Sequence, residues 1–234
     1  MDTPEEYQRL INLGQHLLNN TEENWQLIPA ERIPFARMGQ GMDGLFLAVG
    51  HLMLGDMVQA RKWFRQCAEY FLEGLKPADT VLSEKRALEC ALLCGDREFQ
   101  VHAAQQILPR EQRVKPMEYP YVMVLKHAIL GQQKDAASFV EDSAWLSRAT
   151  LKKRGGYGTL QDVCTAVICE QPEEFASNLQ ALLAEHKKIT VQGRKNMPDG
   201  ILCFPGAALL ILARTRGWSV QVTSPFIPDA LLTE

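Results

Sequence analysis

Four short joints, spaced about one helical hairpin apart, constrain this chain more than any other feature. They read Met53-Leu54-Gly55-Asp56, Leu93-Cys94-Gly95-Asp96, Ile129-Leu130-Gly131-Gln132 and Ile168-Cys169-Glu170-Gln171, with third residues at 55, 95, 131 and 170, intervals of 40, 36 and 39. Each joint follows an apolar run and precedes an amphipathic one. Glycine just past a helix end adopts the left-handed conformation without a Cβ penalty, and the Asp that follows it twice can start the next helix. The fourth joint has Glu170-Gln171-Pro172 instead, and Pro172 suits a first helical turn.

The spacing predicts one all-α domain over residues 1–234, an array of antiparallel αα-hairpins with a short extended C-terminal tail. An opening helix is predicted over 4–20, then hairpins over 45–54 and 57–74, 80–94 and 97–108, 121–130 and 133–148, and 159–169 and 172–187. A last apolar helix is predicted over 204–215, capped by Gly217. Pro29, Pro34, Gly39, Gly41 and Gly44 predict that part of 22–44 is irregular. Lys152–Gly158 reads as a mobile basic loop, and Lys187 through Gly200 as a second exposed basic stretch.

Charge and cysteine usage narrow the classes of function. A net charge of −3 provides no global basic field for phosphate backbones, so direct nucleic-acid binding is not expected. No run approaches 18 consecutive apolar residues and the start, Met1-Asp2-Thr3-Pro4-Glu5-Glu6, is acidic, which predicts a cytoplasmic protein without a membrane role. Cys67, Cys90, Cys94, Cys164, Cys169 and Cys203 read as reduced, buried thiols.

Motifs for common chemistry are missing. There is no phosphate-binding loop, no dinucleotide fingerprint and no Gly-x-Ser-x-Gly elbow. His16, His51, His102, His127 and His186 form no ligand pair at helical spacing, so no metal, cofactor or catalytic residue is assigned. An enzyme would have to use the Gly39–Gly44 segment beside His51, which has no acid, base and nucleophile set around it. Glu141 and Asp142, with Glu170, Glu173 and Glu174, fall at helix starts or exposed faces. Such acids complement helix dipoles, and they also imitate phosphate for a basic partner such as a nuclease.

The C-terminal segment is distinctive. An apolar helix ends in Arg216-Gly217, followed by Val220, Val222, Ser224-Pro225-Phe226, Pro228 and Leu231. This ending resembles that of the bacterial immunity protein 49 family, whose helical character also suits the joints. The resemblance implies an antitoxin that binds a secreted toxin of interbacterial competition, a nuclease being the favoured target, and blocks its active site in a stoichiometric complex. Toxin contacts are then expected at Glu141, Asp142, Glu170, Glu173 and Glu174. The alternative is a helical-repeat adaptor like tetratricopeptide proteins, although the intervals of 36 to 40 exceed that family's period of about 34 residues.

Overall fold

Thr3 starts the first helix with a capping box. Its hydroxyl accepts from the Glu6 amide at 3.4 Å while the Glu6 carboxylate accepts from the Thr3 amide at 3.2 Å, satisfying donors that a helix start otherwise leaves open. The computed structural model describes residues 3–75, 81–109, 118–142, 145, 156–190 and 195–231. Its helices are α1 (Pro4–Glu23), α2 (Ile33–Met53), α3 (Met57–Glu73), α4 (Val81–Leu93), α5 (Arg97–Gln106) and α6 (Tyr119–Ile129), followed by α7 (Gln133–Val140), α8 (Leu160–Ile168), α9 (Pro172–Thr190), α10 (Pro198–Ile201) and α11 (Phe204–Thr215). The fold is all-α, with no β-strand among the described residues and an isolated bridge between Ser224 and Ile227 in the tail.

All four joints adopt the left-handed backbone, at φ +78° for Gly55, +76° for Gly95, +72° for Gly131 and +59° for Glu170. At the first joint the Asp56 amide donates to His51 O at 2.9 Å and the Gly55 amide to Leu52 O at 3.0 Å, which closes the helix end. The same outer bond recurs from Gln132 to His127 O at 2.8 Å and from Gln171 to Ala166 O at 2.9 Å. Asp56 and Asp96 then cap α3 and α5, accepting from the amides of Gln59 and Phe99.

Successive joints also bond to one another. The residue two after Gly95, Arg97, donates to the carbonyl of Ile129, two before Gly131, at 2.5 Å. Gln133, two after Gly131, donates to the carbonyl of Ile168, two before Glu170. Arg216 continues the line, donating to Gln133 Oε1 at 2.7 Å and pairing with Glu170 at 3.3 Å. Thus the Arg-Gly pair that ends α11 ties that helix to the third and fourth joints.

Consecutive helices pack together, α2 against both α1 and α3, α6 against α7 and α8 against α9, while α4 touches α3, α5, α6 and α11. The apolar core runs through these contacts, with the Phe64 and Phe204 rings edge to face at 6.4 Å. The tail folds back over α11, where the Cys203 amide donates to Phe226 O at 3.0 Å and Arg214 donates to Leu231 O at 2.9 Å.

The expectation that part of 22–44 is irregular holds, but not at the glycines. Irregularity is confined to about 24–32, which holds two 3-10 turns, and α2 then runs unbroken through Gly39, Gly41 and Gly44. Pro34 sits in the first turn, where a missing amide costs nothing. Two of the glycines let α3 approach, since a Cβ on Gly41 would lie 2.9 Å from the Phe71 ring and one on Gly44 would lie 2.7 Å from Cys67 Sγ. Close packing therefore outweighs a helix-propensity cost of about 1 kcal/mol at each site.

Other boundaries shift too. The helix predicted over 133–148 stops at Val140, and Lys187 and Lys188, exposed as expected, belong to α9. Of the basic loop, Lys152–Gly155 lie outside the described residues. Cys169, at the fourth joint, is exposed, whereas the other cysteines are buried as expected.

The joints make the first prediction. Nothing lies within 4 Å of a Cβ built on Gly55 or Gly131, so Gly55→Ala and Gly131→Ala cost only backbone strain, about 1 kcal/mol each in urea unfolding. Glu170→Gly relieves the same strain and loses an ion pair whose carboxylate is 71% exposed; it is expected to stabilise by roughly 0.5 kcal/mol. A loss above about 1 kcal/mol in Glu170→Gly would mean that the Arg216 contact outweighs the strain.

Candidate functional site

Three charged residues, Glu84, Arg86 and Glu89, are buried in α4. All of α4 is buried except Leu82 and Lys85, although it carries Arg86 and Glu89 one turn apart. Arg86 Nη1 donates to Glu89 Oε2 at 2.7 Å, Nη2 donates to Asp199 of α10, and the guanidinium stands 4.4 Å from the centre of the Phe204 ring. Tyr121 of α6 donates its hydroxyl to Glu89 Oε1 at 3.2 Å. Both oxygens of Glu89 are therefore engaged, as a buried carboxylate requires.

The electrostatics follow from this closure. Burial works against the Arg86 charge, but Glu89 and Asp199 outweigh it and hold the pKa above the ordinary arginine value. Burial pushes the Glu89 carboxyl up, with Arg86 opposing. On the exposed side of the same helix, Lys85 pairs with Glu118 at 2.8 Å.

These groups border a cavity of about 530 Å³. Its aromatic walls are Tyr121, Trp145, Tyr157 and Phe204, and its charged lining is Lys85, Arg86, Glu89, Glu118 and Asp199. Leu82 and Met197 supply exposed apolar surface at 39% and 44%. The volume lies in the range of ordinary ligand sites, about 300–1,000 Å³, and the lining combines apolar walls with a few convergent polar groups.

Behind the Tyr157 wall lies His186. The Tyr157 hydroxyl and His186 Nδ1 are 2.8 Å apart, their rings stack at 5.9 Å, and Phe226 meets the imidazole edge to face at 4.6 Å. This stack couples the cavity wall to α9 and to the C-terminal tail. Burial lowers the His186 pKa to about 4, so the imidazole is neutral at pH 7.

The five acids singled out from sequence fall into two groups. Glu141 and Asp142 follow α7, and the Trp145 amide donates to Asp142 O at 3.2 Å, so this pair adjoins the cavity through a lining residue. Glu170, Glu173 and Glu174 sit at the start of α9. Gln133, at the opposite end of α7, bonds to Ile168 O and to Arg216, the partner of Glu170. A helix of eight residues separates the two groups by about 12 Å. Glu141, Glu170, Glu173 and Glu174 are exposed and Asp142 is half-buried.

Sequence reasoning assigned Arg86, Glu89, Tyr121 and Asp199 no role. The available signal was an Arg and a Glu three apart within the apolar run over 80–94. No group of three or more His, Cys, Asp or Glu suited to a metal occurs among the described residues. Burial raises the thiol pKa of Cys67, Cys90, Cys94, Cys164 and Cys203, which disfavours a thiolate nucleophile.

The family model described as Immunity protein 49 matches residues 14–231. Comparison with curated proteins and with solved structures gave no match.

Two measurements check the electrostatics. An imidazole that titrates near 6.5 in the unfolded chain and about 4 in the folded one contributes stability above pH 6.5 that is lost as pH falls towards 4, roughly 3 kcal/mol in all. His186→Gln is expected to flatten that part of the stability profile. Glu89→Ala leaves Arg86 buried with half of its pairing and is expected to cost about 3 kcal/mol in denaturant unfolding.

Proposed function

The chain belongs to the immunity protein 49 family, inhibitors rather than enzymes, and from that premise we propose that it neutralises a cognate secreted toxin in the cytoplasm by a one-to-one complex that blocks the toxin's active site. The family match across nearly the whole chain carries this reading, since the helical joints alone would equally suit an adaptor. No described helix is long and apolar enough to cross a membrane. A rigid helical surface of this kind loses little conformational entropy on binding, which favours tight inhibition.

The favoured target is a nuclease. A nuclease groove is positively charged because it holds phosphates, and an inhibitor that occupies it needs negative charge on an ordered surface. The net charge of −3 and the exposed carboxylates Glu141, Glu170, Glu173 and Glu174, with Asp142 beside them, support that match. These five residues are the proposed toxin contacts.

Co-expression with the toxin encoded beside this gene tests the function. Growth rescue with co-purification of a one-to-one complex is the expected result; toxicity without a complex would overturn it. Charge reversal at all five acids is expected to weaken the complex by more than about 1 kcal/mol, with a reduced association rate at low salt. A smaller change would remove the phosphate-mimic reading while leaving immunity intact.

A further inference from the structure

We propose that the cavity beside α4 is the receptor for one basic side chain, an arginine or a lysine, presented by the toxin; this rests on the immunity reading above and names where that complex is anchored. Charge sets the class of guest. Among the described residues, five charged side chains line the cavity, Lys85 and Arg86 against Glu89, Glu118 and Asp199, so carboxylates are in excess by one there. Arg86 and Glu89 pair with each other at depth, leaving Arg86 Nε without a hydrogen-bond partner, whereas Glu118 and Asp199 retain 37% and 29% side-chain exposure. Glu118 gives Oε1 to Lys85 and Asp199 gives Oδ1 to Arg86. A carboxylate has room for about four hydrogen bonds, so both have acceptor capacity for an incoming cation.

The walls suit the same guest. A guanidinium or ammonium is attracted to aromatic rings, and Tyr121, Trp145 and Tyr157 line the same cavity as the carboxylates. Exposed Leu82 and Met197 provide apolar surface that a partner covers on docking, excluding water from the charge pair it surrounds. An anionic guest would meet the carboxylate excess, and an apolar one would desolvate Glu118 and Asp199 without replacing their water. Glu141 and Asp142, adjoining the cavity through Trp145, add negative charge that steers a basic surface towards it.

The test uses the full chain and its toxin. Wild type, Glu118→Gln, Leu82→Lys and the distant surface control Glu5→Gln are each titrated against the toxin, after thermal melting confirms that every variant folds. Glu118 and Leu82 are both partly exposed, so neither change opens the core. Glu118→Gln and Leu82→Lys are expected to weaken binding at least tenfold, with Glu5→Gln within twofold. In double-mutant cycles across the toxin's arginines and lysines, one residue is expected to couple to Glu118. Wild-type binding with both cavity variants within twofold would overturn the cavity site and leave immunity standing. Absence of wild-type binding would overturn both.

Discussion

The fold depends on the pairing of Arg86 with Glu89 at the centre of α4. Leaving either charge alone in an apolar interior costs several kcal/mol, far more than any one apolar contact returns. The pair is closed by groups from distant parts of the chain, Tyr121 from α6 and Asp199 from α10. Asp199 lies 113 residues beyond Arg86. Satisfying α4 therefore requires α6 and the α10–α11 segment to be in place. An apolar α4 would pack against many partners, whereas the Arg86–Glu89 pair is bonded by a particular set of neighbours.

A second constraint runs along the joints. Each left-handed residue ends one helix within a turn, and at the second and third joints the residue two positions later reaches a late carbonyl of the next hairpin's first helix, Arg97 to Ile129 and Gln133 to Ile168. Helix ends leave carbonyls without intrahelical partners, and here the neighbouring joint supplies the donor. At the fourth joint the order is altered: Glu170 accepts left-handed strain that glycine would avoid, and its carboxylate faces Arg216. The same arginine bonds to Gln133. The residue that departs from the joint pattern is thus the one that meets the chain's closing helix.

Much of this was legible in the sequence because it is local. Joints, caps and helical periodicity are written in neighbouring residues, and the four joints were located to the residue. The glycines of α2 misled because a helix-breaking composition and a helix-packing surface use the same amino acid; only α3, with Phe71 and Cys67 against Gly41 and Gly44, distinguishes them. Arg86 and Glu89 were visible as charges in an apolar run, but their partners come from α6 and α10 and carry no sequence spacing to announce them. The acids were recognised by type, while their division between the two ends of α7 is a property of packing alone.

That division separates two physical roles for negative charge. Glu173 and Glu174 stand in the first turn of α9, where the helix dipole already favours them, and Glu170 is committed to Arg216. Charge of this kind has work to do in the free protein. Glu118 and Asp199 differ because each sits at a partly exposed position beside aromatic walls and gives one oxygen to a cation fixed by α4. Arg86 and Lys85 hold these carboxylates in position before any partner arrives, so a bound cation would meet acceptors already ordered and partly desolvated. Preorganisation of that sort lowers the entropic cost of association, and it arises from the same buried pair that the fold requires for its own stability.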